Sequence, residues 1–571
     1  MLLHLLAFLL RTVVSSSVYL PRLSSSYPSS ASQSTSSSSS SSIVFPSLSS
    51  RTTLCGTTEG RLEVGRTNDS DSRWLTLVDC SYRNLSTLPA DIPPGTHSLS
   101  LRGNSISVAE GYWFLPQFES LQRLDLSLNN ISSLRSLMDV PAWMSLRYLD
   151  LAHNCIWSLE RGVFDRAPKL SHLDLSHNLI RFLEDGCFSG LDGLAYLSLR
   201  NNQIARLSSA TFDTLRGLTS VRLDNSEIGD SSSEDVIAAP LLPSSAEDVT
   251  TSTNEIKYVR SHSLSNLDRL RKIDISFNFI RSVVGLVALT SMRSLTDVTF
   301  DGNLIDRLSR PRDFQPSSSS SVRELSLCRM PRLSVVDEGA FLDLEDLEVL
   351  WLCENPRLIY IHPFALTRVS RLRVLDLRGN GLSAISEDLV LASASLELVR
   401  ISENPLHCDC NARWISRFVD VETGSSASTN SPHRNWTFGN VSGEEDVPVC
   451  DSPADKHSIS LRDLDFRSLP EHCRPVVVPL FVGSALHEIG SSATFSCRSI
   501  GLPLPKIHWI LPNGRVVNGT PNDSRIRFES SGTLTVNHVK PTDYGTYTCL
   551  ASNPKGYDAA SVRLSIYASG V

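Results

Sequence analysis

One short frame returns along most of this chain, and its spacing constrains the fold more than any other feature. The segments LQRLDLSLNNI from Leu121, LRYLDLAHNCI from Leu146, LSHLDLSHNLI from Leu170 and LAYLSLRNNQI from Leu194 follow one another every 24 or 25 residues. LTSVRLDNSEI from Leu218 continues the run, with Ser226 in the slot otherwise held by asparagine. The frame returns at Leu270, Leu295, Val322, Leu347, Leu372 and Leu396. Its consensus is L-x-x-L-x-L-x-x-N-x-L.

This is the leucine-rich-repeat pattern, highly specific at such a copy number. Its physics predicts an α/β solenoid with a curved parallel sheet. In L-x-L the leucines point inward from a short strand while the residue between them faces out. Each repeat adds one strand, and its leucines are buried only against neighbouring repeats. Asn104, Asn129, Asn154, Asn178, Asn202, Asn278, Asn303, Asn355, Asn380 and Asn404 end the strands. Their amides are suited to pairing backbone groups that the turns would leave buried and unsatisfied. Phe164, Phe188, Phe212 and Phe341 recur as a spine behind the sheet.

At 571 residues the chain exceeds what one core can organise. A formal charge of -8 gives no electrostatic basis for nucleic-acid binding. The apolar run MLLHLLAFLL is the length of a signal-peptide core, placing a signal peptide at 1–17. A serine-dominated segment, 18–54, cannot bury enough apolar surface to offset ordering and reads as disordered. Sequons stand at Asn68, Asn84, Asn130, Asn435, Asn440, Asn518 and Asn522, so these are the expected glycosylation sites of an extracellular chain. No stretch reaches the roughly 18 to 20 apolar residues of a membrane helix. As written, the mature chain is therefore expected to be secreted.

The end repeats of a solenoid expose apolar edges and need covers. Cys55 and Cys80 flank an N-terminal cap at 55–97 and are expected to pair. About twelve repeats fill 98–407, with polar insertions near 229–254 and 309–321. NPLHCDCNARWI then opens a cap at 408–474, with further cysteines at Cys450 and Cys473. A zinc site on His407, Cys408 and Cys410 is disfavoured, because C-x-C lacks the usual ligand spacing, and no metal is assigned. Over 475–568 the texture changes to short alternating strands. Cys497, Trp509 and DYGTYTC ending at Cys549 match the immunoglobulin spacing, so an all-β immunoglobulin-like sandwich with a Cys497–Cys549 bridge follows. Tyr547 should form its tyrosine corner.

The combination resembles the leucine-rich repeat neuronal proteins, a family of type I cell-surface glycoproteins. The segments ENPRLIYIHPFAL, ISENPLHCDCNARWI and FSCRSIGLPLPKIHWILPNGR carry that resemblance, as does the run from SSGTLTV to YTCLASN. It implies Cys408–Cys450 and Cys410–Cys473 pairing in the C-terminal cap. It also implies a fibronectin type III module and a membrane anchor that this chain does not contain. The nervous-system proteins that join twelve repeats to one immunoglobulin domain, without a fibronectin module, are a close second.

Function is expected on the concave sheet face, the natural seat for another protein. Tyr148, Tyr196, Arg222, Phe277, Trp351, Arg378 and Arg400 are the outward-facing candidates, since aromatics and arginines are the usual anchors. Asp125, Asp150 and Asp174 line up on consecutive strands, but aspartate is common in that slot and calcium is not assigned. Cys328 and Cys353 share a slot in adjacent repeats, within reach of a disulfide, whereas Cys155 and Cys187 occupy different slots and are expected to stay unpaired. No catalytic motif stands in a plausible context, and a peroxidasin-type oxidase would need a haem domain. The reading is therefore an adhesion or receptor-type ectodomain whose partner is an extracellular or cell-surface protein. No enzyme, cofactor, nucleic acid or small-molecule substrate is assigned. A secreted matrix or ligand-trapping protein is the alternative.

Overall fold

The computed structural model describes residues 55–567 apart from 62–73, 108–118, 136–140, 229–243, 260–266, 310–319, 417–447, 520–524 and a few single positions. The signal peptide, the serine-rich segment, most of both insertions, and Asn68, Asn435, Asn440 and Asn522 lie outside the described residues.

A 15-stranded sheet runs the length of the coil. It opens with an antiparallel hairpin, Gly56–Arg61 on Trp74–Asp79, and every later pairing is parallel. Strands of three residues suffice, because each contributes one fully inward side chain per layer. Leu124, Leu149, Leu173, Leu197, Val221 and Val249 stack in register and are completely buried. Phe164, Phe188 and Phe212 stack behind them with centroids 6.3 and 6.1 Å apart. Phe341 is buried too, but in the core of the C-terminal half.

The asparagines explain how so many tight turns can be buried. Asn154 donates from Nδ2 to the carbonyls of Leu126 and Leu151, both at 3.0 Å, and accepts the Ile131 N–H at 2.9 Å. Asn129, Asn178, Asn202, Asn278 and Asn303 do the same. Leaving such groups unpaired would cost about 1–3 kcal/mol each.

One expectation is corrected here. The insertion near 229–254 does not extend to 254: its last part opens a further repeat. Asp248–Thr250 is a strand of the main sheet, and Asn254 donates to the Leu223 carbonyl at 2.9 Å as the ladder asparagine. Ala246 and Thr251 occupy leucine slots, and both are buried. Their small or polar side chains hide the repeat from a leucine count.

Disulfides close the ends. Cys55–Cys80 ties the opening hairpin, and Cys408–Cys450 and Cys410–Cys473 tie the C-terminal cap. In that cap Trp414 is buried and donates to the Ile385 carbonyl at 2.9 Å. Cys328–Cys353 bridges adjacent strands, with Cα atoms 4.6 Å apart. Cys155 and Cys187 carry free thiols. Cys187 is fully buried, and burial pushes its thiol up to about 12.

The C-terminal domain is a sandwich of a four-stranded and a five-stranded sheet joined by Cys497–Cys549. Trp509 is fully buried between them and donates to the Gly532 carbonyl at 3.1 Å. Tyr547 donates its hydroxyl to the Asp543 carbonyl at 2.9 Å, four residues upstream. The sandwich docks on the flank of the coil, where Arg307–Leu308, Val335–Val336 and Tyr360–Ile361 form a small parallel sheet. Arg498, on the strand Ala493–Ile500, donates from Nε to Asp337 at 3.2 Å and makes a second bond from Nη2. Arg307 also pairs with Asp337 and donates to the Ser496 hydroxyl at 3.0 Å.

Candidate protein-binding surface

Side chains flanking each inward leucine form two columns across the concave face. The first column passes through Arg123, Tyr148, His172 and Tyr196 on four adjacent strands. The guanidinium of Arg123 lies 3.7 Å from the Tyr148 centroid. The rings of Tyr148 and His172 stack at 4.3 Å, and those of His172 and Tyr196 at 4.2 Å. All three rings are half-buried. Their faces are consumed by one another, so the row presents edges to solvent. Strand spacing alone sets this stacking, because side chains in the same register sit about 4.8 Å apart.

Asp125, Asp150 and Asp174 form the second column, in register. Each has one carboxylate oxygen occupied by a backbone N–H two residues on, from Ser127, Ala152 and Ser176, at 2.9, 2.9 and 2.8 Å. These aspartates therefore cap the strand ends. Burial pushes the Asp150 carboxyl up to about 6; the Ala152 N–H opposes the shift, and the neighbouring Asp125 and Asp174 add to it. Burial lowers the His172 imidazole, with Asp174 opposing and Arg123 reinforcing the shift.

The middle of the face is charged. Arg222 pairs with Asp248 at 2.7 Å and Lys272 with Asp297 at 3.8 Å, around a depression of about 400 Å³ that Glu324 also lines.

Further along, Trp351 is half-buried and its indole N–H donates to Glu324 at 3.0 Å. Arg400 sits 5.9 Å from the Trp351 ring centroid but is only 8% exposed, with Nη1 3.3 Å from Asp376. Arg378 grips the same carboxylate, with Nη2 at 2.8 Å. Asp376 is fully buried, which is why it gathers two guanidiniums.

These positions correct one of the anchors inferred from sequence and place two others in turns beyond the strands. Arg400 is buried rather than outward-facing. Arg378 lies in the turn after its strand and is held by Asp376. Phe277 also lies in a turn, with φ 52°, against Gly302 and near the Arg329 guanidinium, 5.2 Å from its centroid. Tyr148, Tyr196, Arg222 and Trp351 do stand on the sheet face. Arg123 and His172 were missed, although the repeat period places them in the same column as the two tyrosines. The sulfurs of Cys408 and Cys410 are consumed in disulfides, so they offer no thiolate to a metal.

Comparison with known proteins adds the following. A leucine rich repeat model matches residues 140–180, 168–228 and 320–406, and an immunoglobulin domain model matches 474–553. Leucine-rich repeat and fibronectin type-III domain-containing protein 4 of Rattus norvegicus is 28% identical over 305 residues, 53% of this chain and 36% of that protein. The related protein 1 of Homo sapiens is 26% identical over 304 residues, 52% of this chain and 29% of that one. The match thus spans about a third of the length of these curated relatives. Among solved structures, the Toll–Spatzle complex of Drosophila is similar at TM-score 0.45 and 20% identity, over 67% of this chain and 58% of that one. An octameric complex of Latrophilin 3, Unc5D and FLRT2 is similar at TM-score 0.42 and 19% identity, over 69% of this chain and 97% of that one. The chain is a leucine-rich-repeat solenoid joined, through a disulfide-bonded cap, to an immunoglobulin domain.

Proposed function

We propose that this chain is an extracellular protein-binding ectodomain of the adhesion or receptor type, taking a protein partner on its concave face. The row Arg123–Tyr148–His172–Tyr196 carries the reading. Its rings are held by mutual stacking before any partner arrives, so ordering them on binding costs little entropy, while hydroxyl and imidazole edges supply directional contacts. Tyrosine and arginine are also the residues that most often dominate binding energy. Five disulfides among the described residues support an oxidising compartment. The curated relatives, whose names join leucine-rich repeats to a fibronectin type-III domain, support the same class. The resemblance to the leucine-rich repeat neuronal proteins supports a cell-surface setting.

The test is a screen of tagged, purified ectodomain against an array of cell-surface and matrix ectodomains. Any binder found is expected to lose at least tenfold in affinity when Tyr148 and Tyr196 are both changed to Ala. Unchanged binding after that double substitution, and after charge reversal at Asp248 and Glu324, would remove the concave face from consideration.

A further inference from the structure

Beside the Arg498–Asp337 contact, the coil and the sandwich do not close completely. A cleft of about 570 Å³ remains, with Tyr360 and His362 of the coil on one wall and His508, Asn518 and Phe528 of the sandwich among the residues of the other. That volume falls within the roughly 300–1,000 Å³ of sites that enclose most of a small organic ligand.

One observation points to a particular occupant. Asn518, exposed just after the strand Val516–Val517, begins the sequon Asn-Gly-Thr. Asn84 and Asn130, the other described sequon asparagines, are exposed on turns of the coil and line none of the cavities around the sandwich.

We infer that the cleft seats the first sugars of an N-linked glycan carried by Asn518, wedged between the two domains. The inference rests on the extracellular reading above. Its chemistry is the transfer of an oligosaccharide from a lipid-diphosphate donor. The Asn518 amide nitrogen gives up a proton and bonds the anomeric carbon of N-acetylglucosamine, and the lipid diphosphate leaves. Within the cleft, the apolar C–H face of the sugar meets the aromatic side chains of His362 and Phe528.

The experiment uses the secreted ectodomain and follows release of each glycan by a peptide N-glycosidase, with glycopeptide mass spectrometry as the readout. Asn518 is expected to be occupied, and its glycan to leave at least tenfold more slowly than those on Asn84 and Asn130 in the native protein. After denaturation all three should leave alike. His362→Ala, which opens the opposite wall, is expected to speed release at Asn518 alone, with folding checked by an unchanged melting curve. An unoccupied Asn518 beside occupied Asn84 and Asn130 would overturn the inference and leave the extracellular reading intact. So would native release at the rate of Asn84, or no response to His362→Ala. A chain with every sequon bare would count against both.

Discussion

Arg498 in the immunoglobulin domain and Asp337 on the flank of the coil form a salt bridge across 161 residues of sequence, their side chains 1% and 7% exposed. Such a pair cannot be weighed by its Coulomb attraction alone, because both ions have left water. It fixes geometry more than it adds stability, and its importance shows when one partner is lost.

Asp337→Ala leaves Arg498 and Arg307 facing each other without a counter-ion. Breaking a buried pair on one side costs on the order of 3–5 kcal/mol. The expected outcome is release of the immunoglobulin domain from the flank, read as a larger radius of gyration in solution scattering and a separate calorimetric transition. Replacing all three members, as Asp337→Leu with Arg498→Met and Arg307→Met, should recover most of the loss. Unaltered scattering and melting in Asp337→Ala would show that the domains do not dock this way in solution.

Asp150 gives a pH dependence with a defined sign. Its carboxyl is raised from an ordinary 3.8 to about 6, so the folded chain holds more protons than the unfolded chain between those values. Its contribution to stability therefore falls as pH climbs through that window, and the carboxylate is unfavourable at neutral pH. Asp150→Asn keeps an acceptor for the Ala152 N–H while removing the charge. Allowing for solvent screening at a half-exposed site, the gain should be about 1–2 kcal/mol at neutral pH and should vanish near pH 4. Denaturant titrations at the two pH values check this; an equal effect at both would refute the assignment.

Asn254 is the ladder residue of the repeat that the leucine pattern conceals. Its Nδ2 donates to the Leu223 carbonyl at 2.9 Å, and its Oδ1 accepts the Ile228 N–H at 3.2 Å. Asn254→Ala should destabilise the coil by about 2 kcal/mol, as buried donors and acceptors lose partners. A surface loop at the end of an insertion would tolerate the change, so a neutral melting curve would restore that reading.

Thr253, just before it, is exposed and β-branched, yet sits at φ 56°. The equivalent positions of two earlier repeats hold Asn201 and Asn225, at φ 54° and 51°. Asparagine adopts this left-handed conformation more readily than threonine. Thr253→Asn is therefore expected to stabilise the fold by about 0.5–1 kcal/mol, seen as a raised midpoint in urea.

The coil was legible because burial in a solenoid is periodic: a leucine in the frame is an inward side chain wherever it occurs. Legibility failed where chemistry departed from the frame, as at Ala246 and Thr251, whose slots hold the same place with little or no aliphatic bulk. For the binding surface, the period could name Tyr148 and Tyr196, and it also aligns His172 between them. What it could not weigh was Asp376, whose complete burial turns Arg378 and Arg400 from candidate anchors into counter-ions. The docking of Arg498 on Asp337 lies beyond any repeat, because nothing local in either segment refers to the other.

Twelve cysteines, ten of them in bridges, raise the question of what keeps the pairing from scrambling. Exchange requires a thiolate that can reach a neighbouring bridge. Cys187 is sealed in the core and stays protonated at physiological pH, so it is chemically silent although unpaired. Reshuffling in the folded chain then has a single point of entry, the partly exposed thiol of Cys155.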